Sequence, residues 1–122
     1  MLKDWNRLEQ PSKEEMEQRL KKARARLEQQ QILMKEKKLP VLVLLEGWGA
    51  AGKGSVLGKI IKNIDPRFFK VAVMDEPTEE EARKPFLYRH FVKIPEAGKF
   101  VFMDSGWMSE VTREKLRGEL SE

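Results

Sequence analysis

The chain contains no cysteine. That excludes a disulfide framework and any thiolate chemistry, and it is compatible with the cytoplasmic location expected here. No signal peptide is recognisable, and the longest apolar run falls far below the ~20 residues needed to cross a bilayer. Histidine occurs once, at His90, which reads as a helix surface residue rather than a catalytic group. With 122 residues the chain is bounded to one domain with a modest core. Charged residues make up 36 % of it, which marks a surface-rich, soluble type of sequence.

The net charge is +4, and it is unevenly distributed. Residues 1–40 hold 11 Lys and Arg against 7 Asp and Glu, whereas residues 41–122 hold 13 of each. The basic excess therefore belongs to an N-terminal arm. A solvated helix face explains it better than a polyanion-binding patch, and no specific nucleic-acid partner is expected.

The most informative stretch is Gly47 to Ser55, G-W-G-A-A-G-K-G-S, directly after the apolar run Val41 to Leu45. A strand emptying into a glycine-rich turn with a lysine is the layout of a phosphate-binding P-loop. Glycines let the backbone curl so that successive N–H groups can face phosphate oxygens. Lys53 adds positive charge at the start of the next helix, whose N-terminus itself favours anions. The candidate phosphate- and nucleotide-binding residues are thus Gly47, Gly49, Ala50, Ala51, Gly52, Lys53, Gly54 and Ser55. The fit to G-x-x-x-x-G-K-[ST] fails only at its last position, Gly54, where the hydroxyl that reaches magnesium is missing.

Two segments are expected: an arm and amphipathic helix over 1–40, and an αβ domain over 41–122. Met1 to Pro11 lacks periodicity and is expected to lie across another surface through Leu2, Trp5 and Leu8. Ser12 to Glu15 is a capping box opening a helix to about Lys37, with Met16, Leu20, Ala23 and Leu27 as its apolar stripe. From Val41 strands and helices alternate. Strands are expected at Val41–Leu45, Phe69–Met74 and Lys99–Met103. Helices are expected over Lys53–Asn63, from the capping box at Thr78 through Phe91 with a kink or late start at Pro85, and over Ser109–Leu120. Val56, Leu57, Ile60, Ile61 and Ile64 are expected to face the sheet. Three βα units imply a parallel α/β sheet of P-loop kinase type, flanked by helices and limited to three strands. Ligands of such sheets sit beyond the carboxyl ends of the strands. Asp104 ends the third strand there, where a carboxylate beside the P-loop strand can hold Mg²⁺.

Taken in order, four stretches resemble one family: L-L-E-G-W-G-A-A-G-K-G-S, I-D-P-R-F-F-K-V, E-E-A-R-K-P-F-L-Y-R-H-F and I-P-E-A-G-K-F-V-F-M-D-S-G-W. The sequence from about Leu39 to Leu120 resembles the polyphosphate kinase 2 family. The resemblance implies a P-loop kinase fold and magnesium-dependent phosphotransfer between inorganic polyphosphate and nucleotides (AMP, ADP or ATP). It implies that Lys53 is a phosphate ligand, that Asp104 holds the metal, and that Arg89 matches an arginine able to face the phosphate channel. These three are the candidate catalytic residues. Arg67 matches a turn arginine of structural character.

The departures are equally specific. The family's loop pattern G-x-D-x-x-G-K-G places an aspartate where this chain has Gly49, and Gly54 is normal for it. The second motif, D-R-S-W-Y, is matched at Asp104 and Trp107 but not at Ser105, Gly106 or Met108. The family fold also continues with further strands and a lid. The sequence therefore reads as a partial or degenerate copy, expected to have little activity alone. It is expected to associate with itself or with the rest of such a domain. The alternative is a non-catalytic polyphosphate-binding or scaffolding domain.

Overall fold

A computed structural model describes residues 10–118. The arm expected to pack through Leu2, Trp5 and Leu8 lies outside the described residues, as does Leu120. Helix α1 spans Lys13–Glu36. Its start is set locally: Ser12 Oγ accepts from the Glu15 N–H while the Glu15 carboxylate accepts from the Ser12 N–H. Strand β1 is Val41–Leu45, α2 Lys53–Ile61, β2 Phe69–Val73 and β3 Phe100–Asp104. A single 3-10 turn, Pro66–Phe68, leads into β2 and is capped by Asp65.

All strands run parallel in the order β1–β3–β2. The register pairs Val41 with Phe100 and Leu45 with Asp104, and on the other side Phe69 with Phe100 and Val73 with Asp104. The expected adjacency of the P-loop strand and the Asp104 strand is therefore present. The run Val41–Leu45 has the composition of a central strand buried on both faces, and in this chain β1 stands at an edge, half-buried throughout. The central strand is β3, buried at its first four positions. Being flanked on both sides and covered on both faces is a property of sheet order, which an apolar run alone does not report.

The main aromatic cluster lies on one face of the sheet, while Val101 and Met103 of β3 are buried on the other. Phe100 stacks on Phe102 with ring centroids 5.8 Å apart, and Phe69 meets Phe102 edge-on. Leu57 and Ile64 close over them with Met34 of α1. Ile60 and Ile61 pack alongside as expected, but Val56 points away and is exposed. The apolar stripe of α1 is realised only at Leu27. Its buried positions continue to Gln31 and Met34, while Met16 and Leu20 are exposed. Only the C-terminal half of α1 joins the core, through Leu27 and Met34, so a stripe that is continuous in sequence is buried over part of its length.

The expected helix over Thr78–Phe91 is two short ones, α3 at Glu79–Ala82 and α4 at Tyr88–Phe91. The Thr78 capping box opens α3 as anticipated. Pro85 has no N–H to donate and disfavours helical geometry at Lys84, so the helix breaks rather than bends. Helix α5 begins two residues earlier than expected, at Trp107, and ends at Arg117. Gly118 stops it in the left-handed conformation, φ 76°.

Candidate functional site

The carboxyl ends of β1 and β3 bring the two sequence motifs to one end of the sheet. The loop after β1 turns through Gly47 (φ 157°), Ala50 (φ 62°) and Gly52 (φ 87°). Gly52 is the N-cap of α2 and supplies no side-chain hydrogen bond. The first N–H groups of this nine-residue helix have no intrahelical acceptor, so they face outward beside Gly54 and Ser55. Lys53 folds back over the loop: Nζ donates to the carbonyls of Gly47 (3.1 Å) and Trp48 (3.2 Å). Ala51 closes the turn with its N–H on the Trp48 carbonyl. Trp48 stands 86 % exposed at the tip.

A cavity of about 430 Å³ adjoins this loop, lined by Glu46, Gly47, Trp48 and Gly49 on one side and by Met108, Ser109 and Arg113 of α5 on the other. Glu46 is its acidic wall. Its Oε2 accepts from Ser109 Oγ, and its Oε1 lies against Gly106. Nothing local in the sequence marks the partnership of Glu46 and Ser109, because it joins residues 63 positions apart.

Asp104 ends β3. Its backbone carbonyl accepts from Met74 N–H, and its carboxylate Oδ1 is buried without a hydrogen-bond partner. An unspent carboxylate oxygen is the hard donor that Mg²⁺ takes, usually with only one or two protein carboxylates and the rest water or phosphate. The donor chemistry at Asp104 therefore fits such an ion. Among the described residues no three His, Asp or Glu side chains converge on a common point. Ser105, directly after it, holds φ 65°, with its N–H on the Leu45 carbonyl.

Arg89 is placed differently from an open channel residue. It is 5 % exposed, Nη2 donates to the Asp75 carbonyl, and Nη1 lies 3.7 Å from Glu110 Oε1 on α5. Its Nε has no partner. His90, expected on a helix surface, is instead among the most buried side chains, 1 % exposed. Its Nε2 lies 3.1 Å from Glu110 Oε2, and its ring meets Trp107 edge-on. Burial is the main cause that lowers its pKa below the usual 6.5, opposed by the Glu110 charge and assisted by Arg89 and Lys93. Glu110, like Ser109, is not marked by any motif in the sequence. It ties α4 to α5 just beyond Asp104, and only its place one turn into a helix after the D-S-G-W stretch hints at it. Glu76, after β2, faces Arg113 at 3.5 Å. Arg67 forms a local pair with Asp65, which holds the Asp65 carboxyl down at about 2.

The sheet order, the glycine loop after β1 and the carboxylate ending its neighbour define a parallel α/β protein of P-loop layout. Within that class the chain belongs to the polyphosphate kinase 2 family, whose model matches residues 10–122. It is 32 % identical over 111 residues to a polyphosphate:AMP phosphotransferase of Pseudomonas syringae pv. tomato, covering 91 % of this chain and 22 % of that protein. It is also 32 % identical over 106 residues to ADP-polyphosphate phosphotransferase 1 of Rhizobium meliloti, covering 87 % of this chain and 35 % of the relative. The polyphosphate kinase 2 structure from Arthrobacter aurescens TC1 superposes with a TM-score of 0.76 at 28 % identity, over 84 % of this chain and 38 % of the other. The chain thus spans between about a fifth and two fifths of the length of these relatives. Among the described residues no helix is long and apolar enough to cross a membrane.

Proposed function

We propose that residues 41–122 form the phosphate-holding part of a phosphotransferase that moves phosphoryl groups between inorganic polyphosphate and AMP or ADP with magnesium, and that residues 1–40 form an arm packed on it. The observation that supports this best is the pairing of β1 with β3, which sets the Gly47–Ser55 loop and Asp104 at the same end of the sheet. Lys53 exchanges its two loop carbonyls for phosphate oxygens, and the free N–H groups at the start of α2 complete the cradle. Asp104 would hold the magnesium ion through its unpartnered oxygen. Bound magnesium supplies charge neutralisation on the transferred phosphoryl group. Arg89 adds a fixed positive charge behind the site from its buried position.

A second reading is favoured by one observation. Gly49 carries no carboxylate in the loop, and no acidic triad converges among the described residues. A non-catalytic polyphosphate-binding domain of the same fold would look like this.

Titration calorimetry with tripolyphosphate and magnesium tests the shared core of both readings. Lys53→Ala is expected to weaken binding by tenfold or more, roughly the loss of one charge-assisted contact at ~1.5–3 kcal/mol. Equal affinity for both proteins would overturn the site. ATP formation from ADP and polyphosphate then separates the readings. Little or none is expected from this chain, and robust activity abolished by Lys53→Ala would establish it as an enzyme by itself.

A further inference from the structure

The largest cavity described has no role in the site above. It is a groove of about 970 Å³ between the N-terminal half of α1 and the outer face of α2. Its floor is apolar: Met16, Leu20 and Ala23 from α1, Val56 and Ile60 from α2. Met16 is 56 % and Val56 50 % exposed, although both lie on apolar stripes. Two further lining residues, Gln10 and Pro11, are where the described chain begins.

We propose that residues 1–9 of the same chain occupy this groove, seated by Leu2, Trp5 and Leu8. Three observations carry the choice of occupant. The segment is covalently delivered to the groove, because Gln10 and Pro11 form one end of it. The Ser12 capping box fixes the entry angle, and it places Pro11 and Met16 at the two positions that clasp when a chain enters a helix over an apolar contact. Length suffices: nine extended residues reach ~30 Å. From Ser12 to Ala23 the helix rises only ~16 Å. Leu2, Trp5 and Leu8 recur every third residue and, with Met1, form the apolar content of the segment, with a large aromatic at its centre. The arm thereby completes the burial that the stripe of α1 begins at Leu27 and lacks at Met16 and Leu20.

The absence of cysteine makes a direct test available. The full chain carrying Leu8→Cys and Val56→Cys is oxidised at low concentration, alone and mixed with a differently tagged copy. An intrachain disulfide, with little mixed-tag product, is expected. Mixed-tag dimers would mean that a second copy fills the groove, and two freely reactive thiols would mean that nothing does; either result overturns the proposal. A second measurement does not depend on the cysteine pair. Oxidation of Met16 by hydroxyl radicals in the full chain is expected to accelerate several-fold in Trp5→Ala, with a thermal midpoint lowered by several degrees. Unchanged Met16 reactivity and midpoint in Trp5→Ala would refute the packing.

Discussion

Glu46 Oε1 lies 2.6 Å from where a Cβ on Gly106 would stand, so the loop after β1 and the turn after β3 touch only because residue 106 has no side chain. Leu44 Cδ2, at 3.2 Å from the same point, closes the other side. This accounts for glycine at a position where the family motif has serine. Glu46 occupies the space, and Ser109 supplies the hydroxyl to it from α5.

Gly106→Ala is therefore expected to turn the Glu46 carboxylate away from Ser109, at a cost of about 0.5–1.5 kcal/mol, the worth of one hydrogen bond. In a chain that already carries Glu46→Ala the same change should cost much less, since the nearest atom is gone. Urea unfolding of the two single variants and the double variant measures the coupling. Additive effects would show that the two residues do not meet.

The burial of His90 makes stability depend on pH. The folded-state pKa of His90 lies below the 6.5 of an exposed histidine, with burial as the leading cause. The unfolded chain therefore takes up a proton first as pH falls. The sign follows: stability contributed by neutral His90 is present above about pH 6.5 and is lost as pH drops through and below that value. His90→Gln is expected to flatten denaturation midpoints measured between about pH 7 and 5. A wild-type midpoint independent of pH over that interval would contradict the burial of the ring.

Local signals were readable and long-range ones were not. Both capping boxes, the glycine loop and the three strands are encoded within a few residues, and each appears where the sequence places it. Pro85 was legible as a kink or late start, not as the break into two separate helices. The edge position of β1 and the burial of His90 depend on which segments meet. Val41–Leu45 is equally apolar at an edge or in the centre, and a histidine in R-H-F carries no mark of the glutamate 20 residues later that faces it. In the same way, Lys53 was legible as a loop lysine, but not the two carbonyls that hold it.

The loop pattern that the resemblance implies would place an aspartate at Gly49, and the structure has room for one. A Cβ at Gly49 meets nothing within 4 Å, and its φ lies outside the left-handed region. Gly49→Asp should fold with stability within about 0.5 kcal/mol of the parent, as for a surface change without strain. It is expected to raise magnesium-dependent affinity for tripolyphosphate and to leave affinity in excess chelator unchanged or lower, because an unneutralised carboxylate repels the anion. Calorimetry with and without magnesium checks both signs. A metal-independent gain would show that the new carboxylate does not serve the metal.

The free edge of β1 leads to the last expectation, which concerns association. Among the described residues β1 pairs only with β3. Val41 N–H donates to the Lys99 carbonyl, and Leu45 accepts from Ser105 N–H. In a strand the backbone groups of alternate residues point to opposite sides, so Leu42 and Leu44 present their N–H and C=O groups away from β3. Unpaired edge groups flanked by leucine and valine side chains are a template for another strand. The isolated chain is therefore expected to self-associate at micromolar concentration through β1. Leu42→Pro removes an outward donor without touching the β3 ladder, and proline is tolerated on an edge. It should shift the population toward monomer, while a change at the distant Leu116 should not. Light scattering across a concentration series decides the matter. A stable monomer throughout would mean that the β1 edge is shielded within the chain itself.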